Sequence, residues 1–379
     1  MAVVGTRPDA IKMAPVVHAL RAFPGEFRCV VTATAQHRQM LDQVLALFGI
    51  VPDHDLDIMT EGQSLADITV RTLAGLEGIL PGGPPDLVVV QGDAAPSFIG
   101  ALAAFYRKIP VAHVEAGLRT ADKYQPFPEE MYRRMTSVLA DLHFAPTAAA
   151  RANLEREGVP PERITVTGNT VIDALLDVAR RDAPPPGDPR LRAALAHDGR
   201  RVLLTSHRRE NWGAPQRRIF LAIRDLLERF PDLALIFPVH PNPVVAELAH
   251  EILGAHPRAH LFGPFDYATH VGCMKAATLI LTDSGGIQEE APALGRPVLV
   301  LRETTERPEG VQAGTARLVG TDRAAIVEAA SLLLTDAGVY GRMSRARNPY
   351  GDGRAAERIV GVIRHYFGFA PNLPDAFSV

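Results

Sequence analysis

Leu279-Ile280-Leu281-Thr282-Asp283-Ser284-Gly285-Gly286-Ile287-Gln288-Glu289-Glu290-Ala291 passes from an apolar run of strand character, through small and polar residues, into helix-forming sequence. A strand that feeds a helix through a glycine-rich turn is the repeating unit of a parallel sheet. Small side chains at such a turn let the backbone approach a diphosphate. The helix N-terminus and the Ser284 hydroxyl then satisfy its oxygens, and Glu290 can accept from ribose hydroxyls. An acid one turn in, beside a glycine pair, matches nucleotide-sugar recognition better than a plain turn.

Working outward, the same rhythm runs to both ends. Short β-branched runs at Val202–Ser206, Leu235–Val239, His260–Phe262 and Val298–Leu301 surround it, each next to an amphipathic stretch. The first half repeats the pattern with strands expected at Ala2–Val4, Cys29–Thr34, Leu87–Gln91, Val111–Glu115, Leu142–Ala145 and Ile164–Thr167. Between the halves lies Asp182-Ala-Pro-Pro-Pro-Gly-Asp-Pro189, whose prolines cannot continue a helix, so a domain junction is expected close to it. The reading is α/β, with two doubly wound Rossmann-like domains facing a cleft. Their expected limits are residues 1–175 and 176–365, followed by a tail at 366–379.

Composition agrees with a folded globular chain: of 379 residues 47% are hydrophobic and 22% charged. Forty basic against 43 acidic residues leave a net charge of -3, which gives no field to hold nucleic acid or a membrane surface. Cys29 and Cys273 are too few for a disulfide framework and too far apart for a zinc motif, so a reduced cytoplasm is expected. No apolar run approaches the length of a transmembrane helix.

Doubly wound sheets bind ligands beyond the carboxyl ends of their strands, so the residues just after each strand are the candidates. Gly5-Thr6-Arg7-Pro8 places a glycine turn and a helix-starting proline after the first strand, with the Arg7 guanidinium beside free N–H groups. An ordinary capped turn reads equally well there. Asp93 follows the third expected strand, Glu115 ends the fourth, and Glu129 lies in Pro126-Phe-Pro128-Glu129-Glu130. Three carboxylates at one sheet edge suit acid and base work, although any one of them is more often a cap or an ion-pair partner. Glu115 is the hardest to explain that way, because burying a carboxylate without purpose is costly. Ser206-His207-Arg208-Arg209-Glu210-Asn211 and Arg302-Glu-Thr-Thr-Glu306-Arg307 are polar clusters that attract phosphate or form solvated turns. His240, also just past a strand, is by itself more often structural.

Taken together, Gly5-Thr6-Arg7-Pro8, Gln36-His37-Arg38, His113-Val-Glu115-Ala-Gly-Leu-Arg119-Thr120, Pro128-Glu129-Glu130, Ser206-His-Arg-Arg-Glu-Asn211, Asp283-Ser-Gly-Gly-Ile-Gln-Glu-Glu290 and Thr304-Thr-Glu-Arg-Pro308 resemble the non-hydrolysing UDP-N-acetylglucosamine 2-epimerases. The match is ordered and runs from residue 5 to about residue 365. The resemblance implies a GT-B-like fold, a homodimer, and interconversion of UDP-N-acetylglucosamine and UDP-N-acetylmannosamine with no cofactor and no catalytic metal. It also implies proton-transfer roles for Asp93, Glu115, Glu129 and His207. For UDP it implies contacts from Arg7, Ser284, Gly285, Gly286, Glu290 and Arg302, with His270 in the place of an aromatic near uracil. Some relatives bind a second UDP-N-acetylglucosamine through residues matching Gln36, His37, Gln39, Arg208 and His240, although Gln36-His37-Arg38 reads equally well as a polar helix N-terminus. Ala94, Ala95, Pro96 and Ser97 stand where the family usually has threonines, Ala121 where it has glycine, and Tyr132 where it has asparagine. A GT-B glycosyltransferase or a non-catalytic nucleotide-sugar sensor would share the two domains, whereas three carboxylates around the sugar favour proton chemistry.

Overall fold

A computed structural model describes residues 1–34, 38–60, 62–120, 122–181 and 186–379. The chain divides into two compact units: Met1–Ala174 together with Tyr350–Ser378, and Leu175–Pro349.

The first unit is built on β1 (Ala2–Val4), β2 (Val31–Ala33), β3 (His54–Asp55), β4 (Val88–Gln91), β5 (Val111–Val114), β6 (Leu142–Ala145) and β7 (Ile164–Val166), all parallel, in the order β3-β2-β1-β4-β5-β6-β7. Every residue of β4 and β5 is buried, which is why both read as near-continuous apolar runs: helices cover both faces of such a sheet. The second unit carries β8 (Arg200–Thr205), β9 (Leu233–Pro238), β10 (Ala259–Phe262), β11 (Leu279–Thr282), β12 (Val298–Val300) and β13 (Ala316–Leu318), also all parallel, in the order β10-β9-β8-β11-β12-β13. Its core joins Val202, Leu204, Leu235, Phe237, Leu279 and Leu281 to the helix Ala214–Arg229 through Phe220, Ile223 and Leu227.

Strand order reverses between β1 and β4 in one sheet and between β8 and β11 in the other. The turns after those four strands begin at Gly5, Gly92, Ser206 and Asp283, so the switch points, where open parallel sheets take ligands, coincide with the sequence motifs. Close packing holds the first pair together: a Cβ on Gly5 would stand 2.3 Å from Pro96 Cγ. Glycine is required where the two turns meet.

Three particulars differ from the sequence reading. The edge strands β3 and β13 are not foreseen: His54-Asp55 is two exposed residues, and Ala316-Arg317-Leu318 is interrupted by exposed Arg317. β5 stops at Val114, since Glu115 adopts a left-handed backbone (φ 63°). And where the second domain was expected to run to residue 365, the chain re-enters the first unit at Tyr350, and helix Ala355–Tyr366 packs on helix Arg7–Arg21.

That last helix lacks a side-chain cap of its own at Arg354. Asp173 supplies one from a distance, accepting the backbone N–H groups of Ala355 (3.2 Å) and Ala356 (2.8 Å). Burial pushes the Asp173 pKa up to about 6. A carboxyl raised in the folded state favours folding most below its unfolded pKa, and that contribution is lost as pH climbs through about 6. In denaturant unfolding between pH 4 and pH 7, the wild type should lose up to about 3 kcal/mol more stability than Asp173→Asn, the equivalent of roughly two pKa units. Parallel pH curves for the two proteins would refute the assignment.

Candidate functional site

In the first unit the site is organised around Glu115. Only 8% of this residue is exposed, and its carboxylate is held from three directions. Lys12, from the helix after β1, places Nζ 2.8 and 2.6 Å from its two oxygens. Gln91, the last residue of β4, donates its side-chain amide to Oε2, and Asn169 donates Nδ2 to Oε1 at 3.1 Å. A cation and two amides are what a carboxylate needs to stay out of water. Sequence reasoning found Glu115 but not these partners. For Lys12 a signal was present: a lysine set among Ala10, Ile11, Met13 and Ala14, all of which the structure buries.

Asp93 follows Gly92, whose left-handed φ of 68° turns the chain sharply after β4. His113 fixes this turn, with Nε2 2.8 Å from the Gly92 carbonyl. Burial drives the His113 pKa down to about 3, so the ring is neutral and Nε2 carries the proton that the carbonyl accepts. Asp93 itself accepts from Arg133 on helix Glu129–Leu139. The adjacent acids at the start of that helix divide the work. Glu130 is fully buried and accepts from the Thr120 backbone (3.1 Å) and Arg134 (2.7 Å), which ties down the turn after β5. Glu129 is only half-buried. Arg7 opens helix Arg7–Arg21, whose start is closed by a reciprocal Thr6–Asp9 capping box.

Two of the departures from the family pattern, Ala95 and Tyr132, fall in one packed cluster. Tyr132 stacks on Phe98 (ring centroids 5.6 Å apart, planes 14° from parallel) beside buried Ala95, Ile99, Ile58 and Ile68. The larger side chain is thus housed in apolar packing against the helix that carries Ala95. Ser97 stays polar and donates to the Gln91 carbonyl. Ala121 lies outside the described residues.

In the second unit the organiser is Asp283, a residue quoted in the motif but given no role. Fully buried, it accepts the backbone N–H groups of His207 (3.1 and 3.0 Å) and Arg208 (3.0 Å), with Asn211 Nδ2 at 3.1 Å and the Ser206 hydroxyl at 3.3 Å. It joins the turn after β11 to the turn after β8. His207 Nδ1 stands 3.2 Å from its Oδ1, and the imidazole stacks on His240 with centroids 6.4 Å apart. Burial lowers the His207 pKa, while the Asp283 charge opposes that shift.

Ser284 stands at the N-cap of helix Gly285–Ala293, and its N–H donates to Thr282 Oγ1 at 2.9 Å. The Ser284 hydroxyl makes no cap bond. A Cβ on Gly285 would stand 2.8 Å from a Glu306 oxygen, so the glycine admits that carboxylate against the helix start, whereas Gly286 has only Glu290 Oε2 near, at 3.8 Å. Glu306 bridges Arg208 (2.7 Å) and Arg302, and Arg302 also reaches Glu210 at 2.7 Å. Glu290 accepts from Tyr267 at 3.1 Å, on the helix Tyr267–Ala276 that also carries half-buried His270. Gln36 and His37 lie outside the described residues, and of Gln39 only its place in helix Arg38–Leu47 is described. Among the described residues no group of three or more His, Cys, Asp or Glu is placed to hold a metal ion, and no single helix is long and apolar enough to cross a membrane.

Two Rossmann-like units of GT-B-like type, one with a buried carboxylate at its switch point and one with a glycine-rich helix start at its own, define a class of nucleotide-sugar enzymes. A family model described as UDP-N-acetylglucosamine 2-epimerase matches residues 18–364. The chain is 51% identical over 378 residues to the UDP-N-acetylglucosamine 2-epimerase of Bacillus subtilis, covering 100% of this chain and 98% of that one. It is 53% identical over 372 residues to the enzyme of the same name from Escherichia coli K12, covering 96% and 98%. The crystal structure of UDP-GlcNAc 2-epimerase from Neisseria meningitidis bound to UDP-GlcNAc matches with a TM-score of 0.85 at 44% identity, over 96% of this chain and 99% of that one. The chain belongs to the UDP-N-acetylglucosamine 2-epimerase family.

If Lys12 is the cation that makes buried Glu115 tolerable, Lys12→Met should cost about 3–5 kcal/mol in urea unfolding, the usual result of leaving a buried charge unpaired. Adding Glu115→Gln should return most of that loss. A double variant no more stable than Lys12→Met alone would show that the pair does not carry this energy.

Proposed function

We propose that this enzyme interconverts UDP-N-acetylglucosamine and UDP-N-acetylmannosamine by eliminating UDP to 2-acetamidoglucal and adding it back. The observation that carries the reading is the buried, cation-paired Glu115 beside Asp93 at a switch point, in a chain half identical to named 2-epimerases. The C2 hydrogen of the sugar is too weakly acidic for simple removal, because the neighbouring acetamido group offers little carbanion stabilisation. Breaking the C1–oxygen bond in the same step resolves this. The electron pair of the C2–H bond becomes the C1–C2 double bond, the proton goes to a carboxylate, and UDP departs with the C1–O pair. Re-addition protonates the other face of C2, so acids from more than one segment are needed. Asp93, Glu115 and Glu129 meet that need.

The departing diphosphate requires donors, and Arg7, Arg302, Ser284 and the amides of Gly285 and Gly286 are the groups assigned to it, with Glu290 on the ribose and His270 at the base. His207, with Nδ1 turned to Asp283, keeps Nε2 to exchange a proton with the leaving group. A second nucleotide-sugar site at Gln36, His37, Gln39, Arg208 and His240 belongs to the same reading, supported by the stacking of His240 on His207. Catalysis calls for neither metal nor nicotinamide. The free thiols of Cys29 and Cys273 fit a reducing cytoplasm.

We further propose a homodimer. Helices Leu65–Ile79, Ala95–Tyr106 and Glu129–Leu139 lie side by side and expose Val70, Phe105, Tyr106 and Val138, the last with 85% of its surface in solvent. A second copy is the occupant this apolar face suits.

Two outcomes are expected. Product formed in heavy water should carry deuterium at C2, because the returning proton has exchanged with solvent, and Glu115→Gln should lower kcat by orders of magnitude while UDP still binds. Unlabelled C2 would overturn the elimination. For the assembly, the wild type should sediment as a dimer and Val138→Arg as a monomer with unchanged circular dichroism; a monomeric wild type would dismiss the dimer.

A further inference from the structure

The polar groups of Asn169 are committed in a way that the cap of a helix does not require. It is 2% exposed and precedes helix Thr170–Arg180. Its Oδ1 accepts the Val171 N–H at 3.2 Å, and its carbonyl accepts the Ile172 N–H at 3.1 Å, so the capping function is complete with these two bonds. Its own N–H donates to the Tyr350 carbonyl at 2.6 Å, where the chain re-enters the first unit. The amide orientation follows from this network: with Oδ1 taken by Val171, Nδ2 is the atom that faces Glu115 Oε1, at 3.1 Å. A serine or aspartate would cap equally well. Of these capping side chains, only asparagine offers an oxygen to cap the helix and, on a separate atom, N–H groups to donate to a carboxylate.

We propose that Asn169 is a positioning residue for the epimerisation: through Nδ2 it holds the Glu115 carboxylate in its reactive orientation, from a backbone anchored to the returning chain at Tyr350. This rests on the assignment of proton transfer to Glu115. It adds a residue whose assigned action on the reaction runs through Glu115. Lys12 pairs its charge with Glu115, and Gln91 and Asn169 each hold one of its oxygens, so the carboxylate cannot rotate about its last bond without losing a donor. Among the described residues, His113, neutral and bound to the Gly92 carbonyl, lies within electrostatic reach of Glu115, and Asp9 lies within reach of Lys12 and Asp93. None of them replaces the amide.

The discriminating variant is Asn169→Ser, which keeps a capping oxygen and removes the amide donor, its single hydroxyl being the group that caps. Its expected signature is a roughly tenfold lower kcat with KM changed less than twofold, UDP titration unchanged, and an unfolding midpoint near that of the wild type. The acidic limb of its kcat/KM profile against pH should move upward by about half a unit to one unit. A carboxylate that loses a donor to its charged form holds its proton to higher pH. Asn169→Asp, which places a second negative charge against Glu115, should move that limb further in the same direction. A purely structural role would lower the unfolding midpoint and leave the limb in place. If Glu115→Gln is inactive and the limb stays fixed in both variants at position 169, the positioning role is wrong. If Glu115→Gln is fully active, the assignment of Glu115 has failed first.

Discussion

A carboxylate kept almost out of water needs partners, and supplying them to Glu115 dictates much of the first unit. The cation comes from the helix after β1, one amide from the end of β4, and the other from the start of helix Thr170–Arg180. These three segments, far apart in the chain, must meet at one point, and the switch between β1 and β4 is where a doubly wound sheet permits it. The left-handed turn at Glu115, the clasp of His113 on Gly92 and the contact of Pro96 with Gly5 all belong to bringing neighbouring turns within reach of that side chain. The second unit solves the same problem with a different group: buried Asp283 collects backbone and side-chain donors from the turn after β8. Each unit thus gathers donors from separate segments around one buried acid, and in the second unit that acid joins the two turns of the switch point.

Most of the fold was legible because its strands are buried on both faces and therefore spell unbroken apolar runs. Eleven strands in all were foreseen, and β4, β5 and β11 announced themselves this way. β3 and β13 did not, since two residues such as His54-Asp55 carry no pattern, and their place is set by the neighbouring edge. The return of the chain at Tyr350 was hidden for a different reason. Helix Ala355–Tyr366 has an ordinary amphipathic sequence, and what assigns it to the first unit is tertiary: Asp173 at its start and the Arg364–Glu26 pair near its end. At the candidate site, residues placed after strands by the alternating pattern were found. Residues that act by supporting them, among them Lys12, Gln91, Asn169 and Asp283, were not, because support is a matter of distance and not of position along the chain.

The substitutions that set this chain apart from the family pattern look damaging one at a time and coherent together. Tyr132 would crowd Glu129 if it pointed along the sheet edge, but it stacks on Phe98 over Ala95. Alanine at 95 leaves an apolar surface in the cluster where Tyr132 packs, and proline at 96 fills the space beside Gly5. Tyr132 and Ala95 thus contribute apolar packing, while Asp93 keeps its bond from Arg133 on the same helix as Tyr132.

Glu306 gives the second unit a property that a count of its arginines conceals. Arg208 and Arg302 are not bare cations, since one carboxylate already lies between them. An anion that comes to these guanidinium groups enters by displacement, so its affinity measures how much better it fits than the resident it evicts. Raising the salt weakens the old pairing along with the new one, and much of the screening cancels. Selectivity then passes from net charge to shape: an oxyanion whose oxygens span both guanidiniums can unseat Glu306, and a compact ion of equal charge has nothing to offer in exchange.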